Sequence, residues 1–579
     1  MLNLFFRHFL DDFFHTYCRI RVAPDGGQDI PHVCSNQIRG GHAKTDLIIP
    51  AHSGLRTGMA LHRTAKIPFE GSDMILLDTK PKGIHHTNQF FGIGIARTRQ
   101  WQKGLARLGK TVLLHKVAGL IQSGRSGDGR TKRQNKACGG YGFGHRAHAA
   151  LLTVVLASPA LADKIEPSDF LQFDPAQAEL GQLLFYDKIL SGNRNISCGT
   201  CHHHTLGSTD RLSLGIGEGG EGLGPERTAG AGDTRVKKRI PRNAPALWNL
   251  GHRDIRVLFH DGRVEKTDYK AWVFDTPAGD WVPTGLNSIL AAQALFPMTS
   301  EAEMAGSPGE NEIAGAFKER IDQGWPIIAK TVRTIPEYGD MFVAAFPHID
   351  QPEDVTIVEI VNVIAAFIGT EFQSFDSPYD DWLRDGTPLP APAERGRQLF
   401  FGEAGCSSCH NGPLFSDQDF HAAGLPQFGP GRTRPFDKLP RDVGRMAATD
   451  LLDDAYKFRT PSLRNVALTA PYGHNGAYPT LGGIIRHMTN PVGERMRWRP
   501  NMARLPKADW LKAGDFLIQQ DRLEMARQSE HLDLPTVRLS AEQVSDIEAF
   551  LHSLTGQAAA AGTLPLGVPE RVPSGLPVD

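Results

Sequence analysis

Cysteine is scarce in this chain of 579 residues. There are seven, and those beyond Cys138 sit in two short pairs, Cys198/Cys201 and Cys406/Cys409. Cys18, Cys34 and Cys138 all precede residue 145, so no thiol is left after it for a structural disulfide. The apolar stretch at 146–162 is too short to cross a bilayer. Methionine is missing between Met74 and Met298. Net charge is nearly absent, at −1, but this conceals an imbalance. Residues 1–145 hold 21 Lys/Arg against 9 Asp/Glu, whereas residues 163–579 hold 41 against 55. The first 145 residues also lack a clear helical or strand period. Their basic residues are dispersed, which argues against a nucleic-acid-binding arm.

The stretch 146–162 has the pattern of a secretory signal peptide. A basic approach (Lys132, Arg133, Lys136, Arg146) leads to a short apolar core that ends in Ala160-Leu161-Ala162, before Asp163. The competing reading is a buried Ala/Leu helix. A signal peptide belongs at the start of a protein. Residues 1–145 are therefore read as an extension, an over-extended reading frame, with a real basic domain as the rival. The expected order is this extension, the signal peptide 146–162, a first domain 163–385, a second domain 386–556 and a flexible tail 557–579.

Each cysteine pair ends in histidine: Cys198-Gly199-Thr200-Cys201-His202 and Cys406-Ser407-Ser408-Cys409-His410, 208 residues apart. In such a run two thiols bond the vinyl groups of one porphyrin, and the next imidazole ligates its iron. Two covalently bound c-type haems are expected. A four-thiolate zinc site or a redox dithiol is the alternative. Zinc pairs usually lie closer in sequence, and a dithiol has no use for a second copy. Haem is attached to these runs outside the bacterial inner membrane. That agrees with the signal peptide on a periplasmic product with no membrane span in the mature chain.

The second axial position separates an electron store from a catalyst. Met488 is a candidate opposite His410, and a core side chain is its alternative. For the first haem no histidine lies between His204 and His252, which suggests an open face. Peroxide bound there needs an acid–base group, for which Glu303 or Glu301 are candidates against the plainer reading of solvated surface residues. Helices are expected from Pro175 behind an Asp174 cap, around Leu286–Leu295, over Asp354–Phe375, over Ala393–Phe401, from Leu481, and after the capping box Ser540-Ala541-Glu542-Gln543. The proline-rich stretch 378–392 reads as an inter-domain link.

From about Pro175 to Gly556 the chain resembles bacterial di-haem cytochrome c peroxidases and their relative that matures tryptophan tryptophylquinone. The resemblance rests on both haem motifs, Pro241-Arg242-Asn243-Ala244-Pro245, Asp261-Gly262-Arg263, Glu303-Met304, and Leu463-Arg464-Asn465 through Ala470-Pro471-Tyr472. It implies a mainly α fold of two cytochrome c-like haem domains packed together; the N-terminal extension before them, read from the internal signal peptide, is expected to be disordered or non-native. It also implies Glu303 as the catalytic acid–base, His202 and His410 as proximal iron ligands and Met488 as the second ligand of the second haem. A calcium ion held by Asn243, Thr469 and Pro471 is implied as well. Two departures stand out. The loop after the first motif lacks the family's usual histidine, and His260 replaces the usual tryptophan before Asp261-Gly262-Arg263.

The activity expected is reduction of hydrogen peroxide with electrons from a small cytochrome c or cupredoxin. The acidic mature chain would steer a basic donor. A homodimer is a further expectation from the resemblance. An oxidase that modifies a partner's side chains and a non-catalytic electron-transfer cytochrome are the alternatives.

Overall fold

The computed structural model describes residues 33–34, 47–48, 164–268, 273–432 and 440–579. The expected signal peptide and nearly all of the expected extension lie outside these residues. Val33–Cys34 and Leu47–Ile48 form a short antiparallel ladder in the first of two units, 1–135 and 136–579.

Within the second unit, two hydrophobic cores are each built on a pair of crossed helices. In the first, Asp174 caps Pro175–Tyr186 by accepting from the backbone N–H groups of Ala176 and Gln177. Its partner Ile357–Glu371 opens with a capping box between Thr356 and Glu359. Leu180, Leu184 and Phe185 meet Ile364 and Phe367 in this core. The second core pairs Ala391–Phe401 with Ala541–His552, whose Ser540/Gln543 capping box forms as the sequence predicts. Phe400, Phe415, Ile547 and Phe550 fill it. Each crossing is set by a glycine. A β-carbon on Gly181 would strike the carbonyl of Val363, and one on Gly396 would strike that of Asp546. Cys198 and Cys201 pack against the first core and Cys406 against the second.

Two expectations are corrected. The supposed link at 378–392 contains a helix, Pro378–Asp385, because Ser377 and Asp380 make a capping box and proline fits the first helical turn. Residues 557–579 are not a loose tail. The backbone N–H groups of Leu566 and Gly567 donate to Glu371, Ser574 donates to Asp187, and Val572 is buried in the first core. Apolar Leu564, Leu566, Val572, Leu576 and Val578, spread along this Pro/Gly-rich segment without helical spacing, supply the contact. The architecture is mainly α, as expected, and includes a short three-stranded antiparallel sheet, Val257–Leu258, Val264–Lys266 and Phe274–Asp275. Among the described residues no helix is long and apolar enough to cross a membrane.

Candidate active site

The first cysteine run is held in place locally. Ser197 caps the helix Cys198–Cys201, its side chain accepting from the Thr200 N–H while the Thr200 hydroxyl oxygen accepts from the Ser197 N–H at 3.0 Å. Gly199 lies flat against the Tyr186 ring, where a side chain would not fit. His202 Nδ1 is 3.1 Å from the carbonyl of Ser208, and His410 Nδ1 is 2.9 Å from that of Phe415. A carbonyl only accepts, so each Nδ1 carries the proton and each Nε2 keeps its lone pair for a metal. Burial lowers the pKa of both imidazoles, which keeps them neutral.

Cys198, Cys201 and His202 line one cavity, whose wall is largely apolar and includes Phe185, Ile240, Leu247, Leu258, Ile364 and Ile368. Burial pushes both thiols up to about 12. An uncharged sulfur in an apolar wall suits a thioether bond to a porphyrin and disfavours a thiolate–metal site. The two pairs also pack against different cores, which separates them as sites and argues against one four-thiolate zinc centre. The residues present therefore fit covalently bound haem.

Glu303 faces the same cavity. It sits on a π-helical turn, Glu301–Ala305, in which the Ser300 carbonyl accepts from the N–H groups of Met304 and Ala305. π-turns of this kind are common at functional sites. Two other segments clamp the turn: Gly192 donates to Met304 O at 2.9 Å, and Glu218 donates to Ala302 O at 3.2 Å. Glu301, the other candidate, is exposed. Burial raises the pKa of Glu303, and the positive charges of Arg263 and Arg432 oppose that rise. Asp210, also on the wall, is pushed up to about 7, chiefly by burial.

The two arginines are themselves held by Asp261, which is fully buried. Asp261 receives Arg242 at 2.8 Å, Arg263 at 3.1 Å and Arg432 at 3.3 Å, and these three cations hold its carboxyl far below the usual range. Arg242 also forks onto Asp442, with both hydrogen bonds at 2.8 Å. Arg263 lies over the Phe259 ring, 3.4 Å from its centre. Residues on both sides of the second haem motif thus converge on one buried carboxylate beside the first.

His260 lines the cavity and donates from Nε2 to the carbonyl of Asn243 at 3.0 Å. Burial, helped by the charge of Arg242, lowers its pKa to about 4. His203 and His204 turn elsewhere: His203 contacts Thr205, and His204 reaches Tyr186 and Glu371. Among the described residues, the imidazoles on the cavity wall are those of His202 and His260.

Met488 lies half-buried on Leu481–Thr489. The preceding His487 fixes that helix, receiving the Tyr478 hydroxyl at 2.8 Å and donating to Ala423 O at 2.9 Å. Asn243 donates its side-chain N–H to Leu212 O and its backbone N–H to His474 O. Sequence reasoning missed Arg432, Asp210 and the cavity-lining Arg459. Arg432 follows Gly429-Pro430-Gly431, an ordinary turn signal, and nothing local marks it as part of a distant site.

Comparison with known proteins bears on the family. The family described as di-haem cytochrome c peroxidase matches residues 175–387. Cytochrome c551 peroxidase of Pseudomonas aeruginosa is 30% identical over 382 residues, covering 66% of this chain and 79% of that protein. Cytochrome-c peroxidase IdrP2 of a Pseudomonas species is 28% identical over 372 residues, covering 60% and 84%. Methylamine utilization protein MauG of Methylorubrum extorquens is 26% identical over 394 residues, covering 68% and 81%. With two C-x-x-C-H runs packed against separate helical cores, and a cytochrome c551 peroxidase that is 30% identical and covered over 79% of its length, the chain belongs to the di-haem cytochrome c peroxidase family.

Proposed function

We propose that this chain reduces hydrogen peroxide to water at the site built on Cys198, Cys201 and His202. The supporting observation is that Glu303, far away in sequence, enters the same cavity and is flanked there by Arg263 and Arg432. Haem bound at this site would supply the iron that takes up peroxide and the electrons that break its O–O bond. Glu303 moves the proton, taking it from one peroxide oxygen and returning it to the other. Arg263 and Arg432 oppose the effect of its burial and favour its ionised form, the form a base needs. They also place positive charge where the departing oxygen gains negative charge. Overall, one peroxide, two electrons and two protons give two waters.

Cys406, Cys409 and His410 would hold a second haem that stores electrons, and Met488 is the residue that would complete its ligand set. A thioether in that position raises the potential. Electrons arrive singly from a small cytochrome c or cupredoxin in the periplasm. Asn243 and the carbonyls of Thr469 and Pro471 would hold a calcium ion, and neutral oxygens are the donor type that ion takes.

A second reading, oxidation of side chains on a partner protein, draws on the MauG relative and on the tethering of His260, which leaves the distal face of the first site without a free imidazole. Peroxide consumption by the holoprotein with a reduced small cytochrome separates the two. Steady turnover supports the peroxidase. Turnover only when a protein substrate is present supports the oxidase.

A further inference from the structure

The charge of the mature chain and the charge of one of its surfaces disagree. Residues 163–579 are acidic overall, yet residues 486–507 hold six Lys/Arg and a single carboxylate, Glu494. This segment begins in the last turn of the helix that carries Met488, Leu481–Thr489. Asn490 ends that helix and caps the next, Pro491–Arg497, by accepting from the Gly493 N–H. Val492 and Met496 are four residues apart and so share a face. They are 53% and 72% exposed. Arg497 and Arg499 flank them, and Arg499 donates to the carbonyls of Met496 and Trp498 at 2.8 Å, which holds its guanidinium beside the apolar ridge. Between the two arginines, Trp498 is buried in the second core, stacked on Phe428 and bonded through Nε1 to Ala477 O. The surface is thus the outer skin of the core against which Cys406 packs.

Single exposed apolar residues are ordinary. An apolar ridge bordered by arginines, backed by the core of an electron-storing site, has the make-up of an interface centre, where methionine and arginine are enriched. We propose that residues 486–507 dock an electron-donating protein whose contact face is acidic around an apolar centre. This rests on the donor reading above and reverses the basic donor that net charge alone suggests. Local charge outweighs net charge here because screening confines steering to about 8–10 Å at physiological salt.

The test measures binding to the holoprotein by calorimetry and reduction of the second haem by stopped flow. The probes are plastocyanin, with an acidic contact patch, and mitochondrial cytochrome c, with a basic one. Plastocyanin is expected to bind and reduce faster, with an advantage that shrinks as salt rises. Arg497→Glu with Arg499→Glu should cut both its affinity and its rate by about tenfold, and the paired Gln changes by about threefold. Arg571→Glu, on an exposed arginine paired with Glu337, should change neither. The proposal is overturned if cytochrome c is the better partner, if charge reversal moves the plastocyanin values by less than about twofold, or if the surface binds anionic lipid vesicles but neither protein. Peroxide consumption with neutral hydroquinone is followed in parallel. Its absence would contradict the peroxidase reading while leaving the docking result to be judged on binding and reduction.

Discussion

At the residue scale the proposed peroxidase chemistry turns on Glu303, whose usefulness and cost share one origin. Burial raises its pKa, so the folded chain binds its proton more tightly than the unfolded chain does. Its contribution to stability is therefore full below the pKa of an unfolded carboxyl and is lost as pH rises toward the raised folded value. Glu303→Gln removes that loss. The variant should lower peroxide turnover by at least about 100-fold, yet unfold at the same or a higher temperature than the parent at neutral pH. A variant that loses both activity and stability would point to a structural role. Arg432→Gln removes a charge that favours the ionised form. The acid limb of its kcat/KM profile should move to higher pH, and an unmoved limb would remove Arg432 from the account. The sequence carried Glu303 only through its resemblance to family motifs, because an isolated glutamate is indistinguishable from a surface residue. Arg432 carried no signal, since its partners Asp261 and Glu303 lie more than a hundred residues away.

At the element scale, the π-turn and the loop behind it form one device. Gly217 runs so close to Glu303 that an added β-carbon would meet the carbonyls of Ala302 and Glu303. The loop is kept in shape by Arg227, which donates to the carbonyls of Ile216, Gly217 and Gly222. Gly217→Ala should displace the turn and lower turnover about tenfold or more, since small misplacements of a reacting group are costly, while haem content stays unchanged. Haem content by the pyridine haemochrome assay, alongside kcat, checks this. The stretch from Gly215 to Gly232, dense in glycine, was legible in the sequence as a loop, because glycine at such density cannot build a core. Its role in holding Glu303 was not, because that depends on where Ala302 lies. Helix ends were read best: Asp174 and Ser540 cap as local chemistry dictates. The helix Pro378–Asp385 was missed because prolines that start a helix and prolines that break one look alike until the Ser377/Asp380 box is seen.

At the scale of the whole molecule, the buried charges around Asp261 tie segments on either side of the second haem motif to the first cavity. Asp261→Asn would leave three guanidinium groups short of a counter-charge and should destabilise the protein by about 3–5 kcal/mol, measurable by denaturant unfolding. The closing segment works the same way on one core. Asp579 pairs with Lys188 at 2.6 Å and also meets the Thr200 hydroxyl inside the first haem motif. Removing residues 563–579 should cost on the order of 4 kcal/mol, from four or five partly buried apolar side chains at roughly 1 kcal/mol each. The two-centre plan was legible because each C-x-x-C-H run is complete within five residues. The cross-links between centres were not, because each joins residues from widely separated segments.

The central claim is that the centre on Cys198 and His202 stands open for peroxide and is served by Glu303. Electron paramagnetic resonance of the fully oxidised holoprotein, before and after rapid mixing with peroxide, tests it most directly. The account predicts one high-spin and one low-spin ferric haem at rest, and loss of the high-spin signal on mixing, without prior reduction, in the parent but not in Glu303→Gln. Two low-spin haems at rest, unreactive until one electron is added, would contradict it.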